Sequence, residues 1–271
     1  MKKHTEQHKK VGLALGSGGL RGLVHIGVIK ALMKNDIPVH LVSGASVGSF
    51  VGAYFATFGE VFSLEKMLVE KRKDMAPLLF DFGLTSGLVS GKKISLFLEK
   101  TFHKSTFKET QIPLYIIATS LLDGKKILFH SGKITPAVQG SISVPVLFTP
   151  VRSKEKVLVD GGLSDPVPVA ILKEKKADIV IAVNLYHKNE FKDISLSLAH
   201  VALRSVRIAL HNLAKHSVAD ADIVINTDTS RYLRDKKMTE LISVETIQSM
   251  IALGEREAQK HIPEIKKLLK K

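Results

Sequence analysis

Short unbroken apolar runs alternate along the chain with longer stretches whose apolar residues recur at helical spacing. VGLAL at 11–15, VHLV at 39–42, LYIIATSL at 114–121, KVLV at 156–159, DIVIAVNL at 178–185 and ADIVINT at 221–227 are continuous rather than alternating. That pattern predicts strands buried on both faces, most of them in a parallel sheet. Residues 20–34, 49–58, 62–73, 92–102, 195–217 and 243–270 carry the helical period, so the order is βαβ repeated and the class is α/β. The two short runs around Asp123-Gly124 suit a local hairpin. GLTSGLVSG at 83–91 has the composition of a flexible insertion, yet strands continue on both sides and no Pro/Ser linker or charge block divides the chain. One domain over 11–271 is expected, preceded by a basic tail at 1–10.

Composition narrows the class. A chain of 271 residues with 45% hydrophobic content is long enough to bury a substantial core. With no cysteine it has neither disulfides nor thiolate chemistry, and MKKHTEQHKK leads into VGLALGSGG without an export-type cleavage site, so a cytoplasmic location is expected. Forty Lys and Arg against 26 Asp and Glu leave a net charge of +14, which favours polyanionic neighbours: nucleic acid, or the anionic face of a membrane. The eleven histidines are scattered, and His4 and His8 have no metal-site companions, so no metal is expected.

Two stretches admit more than one reading. From Leu41 to Gly59 there is no charge, and Gly44, Gly48 and Gly52 are four apart, as on a small-residue transmembrane face. Against a span stand four glycines, three serines and a β-branched start after Pro38. Gly16, Gly18 and Gly22 after a strand approach a dinucleotide-binding turn, but the acid that should end the second strand is missing: VHLV is followed by Ser43 and Gly44, and Asp36 lies before it.

The chemistry centres on GASVG. A nucleophilic serine must project from a backbone so sharply bent that side chains two residues either way would collide, and Gly44 and Gly48 relieve that collision around Ser46. A helix beginning just past Ser46 aims its unpaired N–H groups at the reacting centre. Acyl transfer also needs donors for an oxyanion, and the turn GSGGLRG offers N–H groups at Gly18 and Gly19, with Arg21 fixing the loop or a lipid phosphate. For the base, Asp160 ends the strand KVLV before Gly161-Gly162; Asp165 in Ser164-Asp165-Pro166 suits a turn or cap, and His187 would complete a Ser, Asp, His order.

GSGGLRGLVHIGVIKAL, GASVG, SVPVLFTPV and LVDGGLSDPVPV, in that order, resemble the bacterial patatin-like phospholipases, which are serine lipid acyl hydrolases. The resemblance spans residues 11 to about 185. It implies a three-layer α/β/α sandwich with a mainly parallel central sheet, and a Ser-Asp dyad without catalytic histidine: Ser46 as nucleophile, Asp160 of the DGG motif as base, and Ser17, Gly18 and Gly19 as oxyanion hole beside Arg21. It implies lipid esters as substrates and no cofactor, and it makes nucleic acid an unexpected partner. The usual loop reads GGGxRG, whereas here its first glycine is Ser17, and Val146 and Thr149 depart from the commoner Gly and Pro. Lysines at 2, 3, 9 and 10 and at 266, 267, 270 and 271, the latter on IPEIKKLLKK, leave room for peripheral contact with an anionic membrane face. The readings that compete are a nucleotide- or nucleic-acid-binding regulatory α/β protein and a lipid-binding protein of the same fold with little turnover.

Overall fold

A computed structural model describes residues 9–72, 91–145, 148–153, 155–187, 196–233 and 236–270. Of the insertion expected at 83–91 only Gly91 is described, as the first residue of a helix, and Val146 and most of the basic tail lie outside these residues.

Among the described residues eight strands form one sheet. They are β1 (Val11–Leu15), β2 (Leu41–Ala45), β3 (Leu114–Ser120), β4 (Lys126–Phe129), β5 (Val151–Ser153), β6 (Lys156–Val159), β7 (Ile179–Asn184) and β8 (Ile223–Asn226). Their order is β5-β6-β3-β2-β1-β7-β8, with β4 also paired to β3. The stretch β3-β2-β1-β7-β8 is parallel throughout, and β4, β5 and β6 are antiparallel additions at one side. The main helices are α1 (Leu23–Lys34), α2 (Val47–Phe58), α3 (Phe62–Glu70), α4 (Gly91–Phe102), α5 (Ile134–Ser141), α6 (Val169–Glu174), α7 (Leu198–Ser217) and α8 (Val244–Lys270).

The alternation of side chains along each strand sorts the core into two layers. Val11, Leu13 and Leu15 of β1 join Ile179, Ile181 and Val183 of β7 in a large cluster with α1, α2 and α8. Their neighbours Ala14, Val180 and Ala182 face the other way, onto α6 and Ala214 of α7. Helices therefore cover both faces, which is why the central strands read as continuous apolar runs.

The uncharged run from Leu41 to Gly59 is strand, turn and helix in succession, and among the described residues no helix is long and apolar enough to cross a membrane. At the C-terminal end, Ile262 and Ile265 are buried and Leu268 and Leu269 pack against the core. The apolar side of IPEIKKLLKK is thus already used by the fold.

Candidate active site

β2 runs straight into α2 with a single residue between them. That residue, Ser46, has φ 53° and ψ −129°, a left-handed conformation unusual for a residue with a side chain. The glycines around it are required by close approach. A Cβ on Gly44 would lie 2.4 Å from the Gly48 carbonyl oxygen, and one on Gly48 would lie 2.1 Å from that of Leu15. The bend is pinned from both sides: the Ser49 N–H and hydroxyl donate to the Ser46 carbonyl at 2.8 and 2.6 Å, and the Ser46 N–H donates to Ser141 Oγ at 2.8 Å.

Strand pairing explains how a distant carboxylate reaches this turn. Along one edge of β3, β2 pairs in parallel up to Ala45 opposite Ile117, while β4 occupies the other edge. Beyond the end of β2, the vacated edge is taken by β6 running the opposite way, with Val159 opposite Thr119. The two strands point at one another head to head, so the residues that follow them, Ser46 and Asp160, meet in the gap.

Asp160 is held there by its own backbone. Its N–H donates to the Ser143 carbonyl at 2.9 Å and its carbonyl accepts the Thr119 hydroxyl at 2.8 Å. Its Oδ1 accepts the Gly162 N–H at 2.8 Å, within the turn opened by Gly161. Oδ2 has no partner of hydrogen-bond geometry among the described residues. Burial raises this carboxyl from 3.8 to about 6, against the opposing pull of the Ser46 hydroxyl and the Gly162 N–H. The Ser46 side chain therefore already acts on Asp160, in a loose apposition of the kind that tightens around a substrate.

The glycine loop after β1 borders both groups. The Gly16 N–H donates to the Val183 carbonyl and the Ser17 N–H to the Pro166 carbonyl, at 3.1 and 2.8 Å. The Ser17 amide is thus spent on the fold, unlike the donor role expected for it. Its hydroxyl shares a 2.6 Å hydrogen bond with Tyr186, and a Cβ on Gly162 would lie 2.6 Å from it. The Gly18 carbonyl accepts Arg21 Nε at 2.9 Å, while the Arg21 guanidinium also donates to the Leu185 carbonyl and lies over the Tyr186 ring. Because a trans peptide points its C=O and N–H in opposite directions, this brace turns the Gly19 N–H away from Arg21. Neither the Gly18 nor the Gly19 N–H has a hydrogen-bond partner among the described residues. Gly19 has φ 57° with open space where a side chain would be. Arg21 braces the loop.

Other candidates lie elsewhere. Asp165 Oδ2 is 3.1 Å from Lys126 Nζ, and His187 Nδ1 is 3.5 Å from Asp228 Oδ2. Among the described residues no group of His, Asp or Glu has the arrangement of a metal site.

The family model described as "Patatin-like phospholipase" matches residues 13–173, from β1 through most of α6. The chain belongs to the patatin-like phospholipase family. Over 181 residues, 65% of its length, this patatin-like chain is 33% identical to a lysophospholipase, NTE1, of Pyricularia oryzae, covering 12% of that protein. Over 178 residues it is 34% identical to an NTE family protein of Mycobacterium tuberculosis, covering 49% of it. The patatin-like chain therefore spans half or less of these relatives. The fold is that of VipD from Legionella pneumophila: TM-score 0.59 at 15% identity, over 95% of this chain and 67% of that one.

Ser141 and His25 of the patatin-like site escape a pattern search. Ser141 lies at the end of α5, where its hydroxyl takes the Ser46 N–H and donates to the Ile117 carbonyl at 2.5 Å, inserting itself into the β2–β3 ladder. His25 Nε2 bonds the Gly16 carbonyl at 2.7 Å from inside α1. Each reads as an ordinary polar residue until the fold places it.

Proposed function

We propose that this chain hydrolyses carboxylic esters of lipids through Ser46 and Asp160. The observation that carries the reading is the head-to-head meeting of β2 and β6, which sets a strained, buried serine turn against a buried carboxylate of raised pKa. Ser46 Oγ attacks the acyl carbonyl carbon while its proton passes to ionised Asp160. The Gly18 and Gly19 N–H groups, without partners among the described residues, stabilise the oxyanion; each such donor is worth roughly 3 kcal/mol in comparable chemistry. Collapse expels the alcohol, which takes the proton from Asp160 and leaves an acyl-enzyme. Water then attacks the acyl carbon, gives a proton to Asp160, and the fatty acid departs as that proton returns to Ser46 Oγ.

A pKa near 6 suits the task, because the carboxylate is mostly ionised at pH 7 yet more basic than an ordinary aspartate. A lysophospholipid is the first substrate to try, since a relative bears the name lysophospholipase. Two measurements test the reading together. Ser46→Ala should abolish both ester hydrolysis and labelling by a fluorophosphonate probe while keeping the wild-type circular dichroism spectrum. Labelling that persists in Ser46→Ala excludes Ser46 as nucleophile.

A further inference from the structure

The parallel strands share one C-terminal rim, and Ser46 stands on it. The same rim carries large exposed apolar side chains on both sides of the nucleophile. On the β3 side, the turn into β4 exposes Leu121 and Leu122, the latter to 67%. On the β7 side, the chain entering α7 exposes Leu196 and Leu198 to 81% and 87%.

α7 continues this surface. A helix linking the parallel neighbours β7 and β8 returns antiparallel to them. Its twenty residues span about 30 Å, against about 20 Å for the six residues of β7. Leu210, Ala214 and Val218 seat its second half on the sheet. The first half extends toward the rim, and none of its side chains described is buried. Leu198, Val201, Ser205 and Ile208 follow one another at i, i+3, i+7 and i+10, along the face opposite Leu210 and Ala214. Val201 and Ile208 are exposed like Leu198. In its first half the outward face of this helix therefore presents Leu198, Val201 and Ile208 to solvent.

We infer that the catalytic rim docks on an anionic lipid bilayer, with Leu121 and Leu122 on one side of Ser46 and Leu196, Leu198, Val201 and Ile208 on the other entering the head-group boundary. Charge selects this occupant. From Leu196 to Ala219 the sequence holds no Asp or Glu, and the whole chain carries an excess of cations, +14. A second copy docked through the same face would set these cations against their own kind. Anionic head groups complement them, and apolar side chains beside cations are what an interfacial helix presents. This docking presumes the lipid-ester reading of Ser46 for its purpose and not for its geometry.

The test is flotation with phosphatidylglycerol/phosphatidylcholine vesicles and with phosphatidylcholine alone, at about 0.1 M salt. Two variants remove the surface, Leu198→Ser/Val201→Ser/Ile208→Ser and Leu121→Ser/Leu122→Ser. Phe62→Ser is the control, since Phe62 is also exposed but starts a helix after α2 has run back from the rim. Wild type and Phe62→Ser should partition onto the anionic vesicles, more weakly onto phosphatidylcholine, and be released by salt. Each rim variant should lose about ten-fold or more in partitioning, with hydrolysis of a monomeric short-chain ester within about two-fold of wild type. Ser46→Ala should bind as wild type does. Partitioning unchanged in both rim variants, or absent in wild type, overturns the docking. So does a wild-type dimer in sedimentation that the α7 variant turns into a monomer, because a second copy then covers the face. If no ester is hydrolysed but the binding pattern holds, the esterase reading fails and the docking stands.

Discussion

The chemistry proposed for Ser46 and Asp160 rests on surroundings that disfavour each of them. A serine at φ 53° persists only because its N–H and carbonyl are both held by hydrogen bonds. A carboxyl buried to the point where its pKa reaches about 6 stays protonated at pH values where a free aspartate has ionised. Since the proposed reaction needs the ionised form, kcat/KM should rise with pH through about 6 and level off above it. Asp160→Asn should cost several orders of magnitude at pH 8, because the serine loses its proton acceptor. His187→Ala should change the rate little, its Nδ1 being turned to Asp228. A pH profile without an acidic limb, or a larger loss from the histidine variant, would move the base away from Asp160. Both positions of the proposed dyad are candidates already in the sequence, because GASVG and DGG each follow an apolar run and glycines mark where backbones crowd. The role of the Ser17 amide is not legible, since its partner Pro166 is distant in sequence and only the fold brings the two together.

At the level of elements, β3 acts as the ruler that sets the site. β2 and β6 stop short of one another on its edge, and the gap is bridged by a side chain from α5: the Ser141 hydroxyl stands where the next ladder bond would fall. Ser141→Ala leaves the Ser46 N–H and the Ile117 carbonyl buried without that link, at a cost of about 1–3 kcal/mol. Because the loss bears on the strained turn, kcat should fall by about ten-fold or more with KM little changed, and Ser141→Thr, which keeps a hydroxyl, should restore part of it. Equal kcat in Ser141→Ala with lowered urea resistance would make Ser141 a stabilising residue only. The long central strands and helices were visible as periodic patterns. β5 and α6 were not, being three and six residues long, and ITPAVQGS of α5 hides its helix behind a proline and a glycine. β2 runs on through Ser43 and Gly44, which read as its end, because the Ser43 hydroxyl donates to the Pro168 carbonyl at 2.6 Å and its polarity is satisfied inside the sheet.

Across the whole molecule, the site leaves a signature in stability against pH. Burial lowers His25 from 6.5 to about 4, partly offset by its bond to the Gly16 carbonyl, and raises Asp160 from 3.8 to about 6. Stability from Asp160 is fully present below its unfolded value and lost as pH rises through about 6. Stability from His25 is fully present above its unfolded value and lost as pH falls through about 4. Between these limits the folded protein holds both groups neutral, whereas the unfolded chain has shed the aspartate proton and gained the histidine proton. The numbers of bound protons match, so the pair contributes almost no slope over this window. Each single substitution uncovers the other group. Asp160→Asn should lose stability relative to wild type on going from pH 6.5 to 4.5, at up to about 1.4 kcal/mol per pH unit, and His25→Gln should gain relative to wild type over the same range. Urea midpoints of the three proteins at half-unit steps of pH measure this directly, with the differences between curves removing every site they share. Curves that stay parallel would show that neither group is held neutral by the fold. A divergence of opposite sign in the two variants would tie the buried carboxyl of Asp160 and the buried imidazole of His25 to one proton balance.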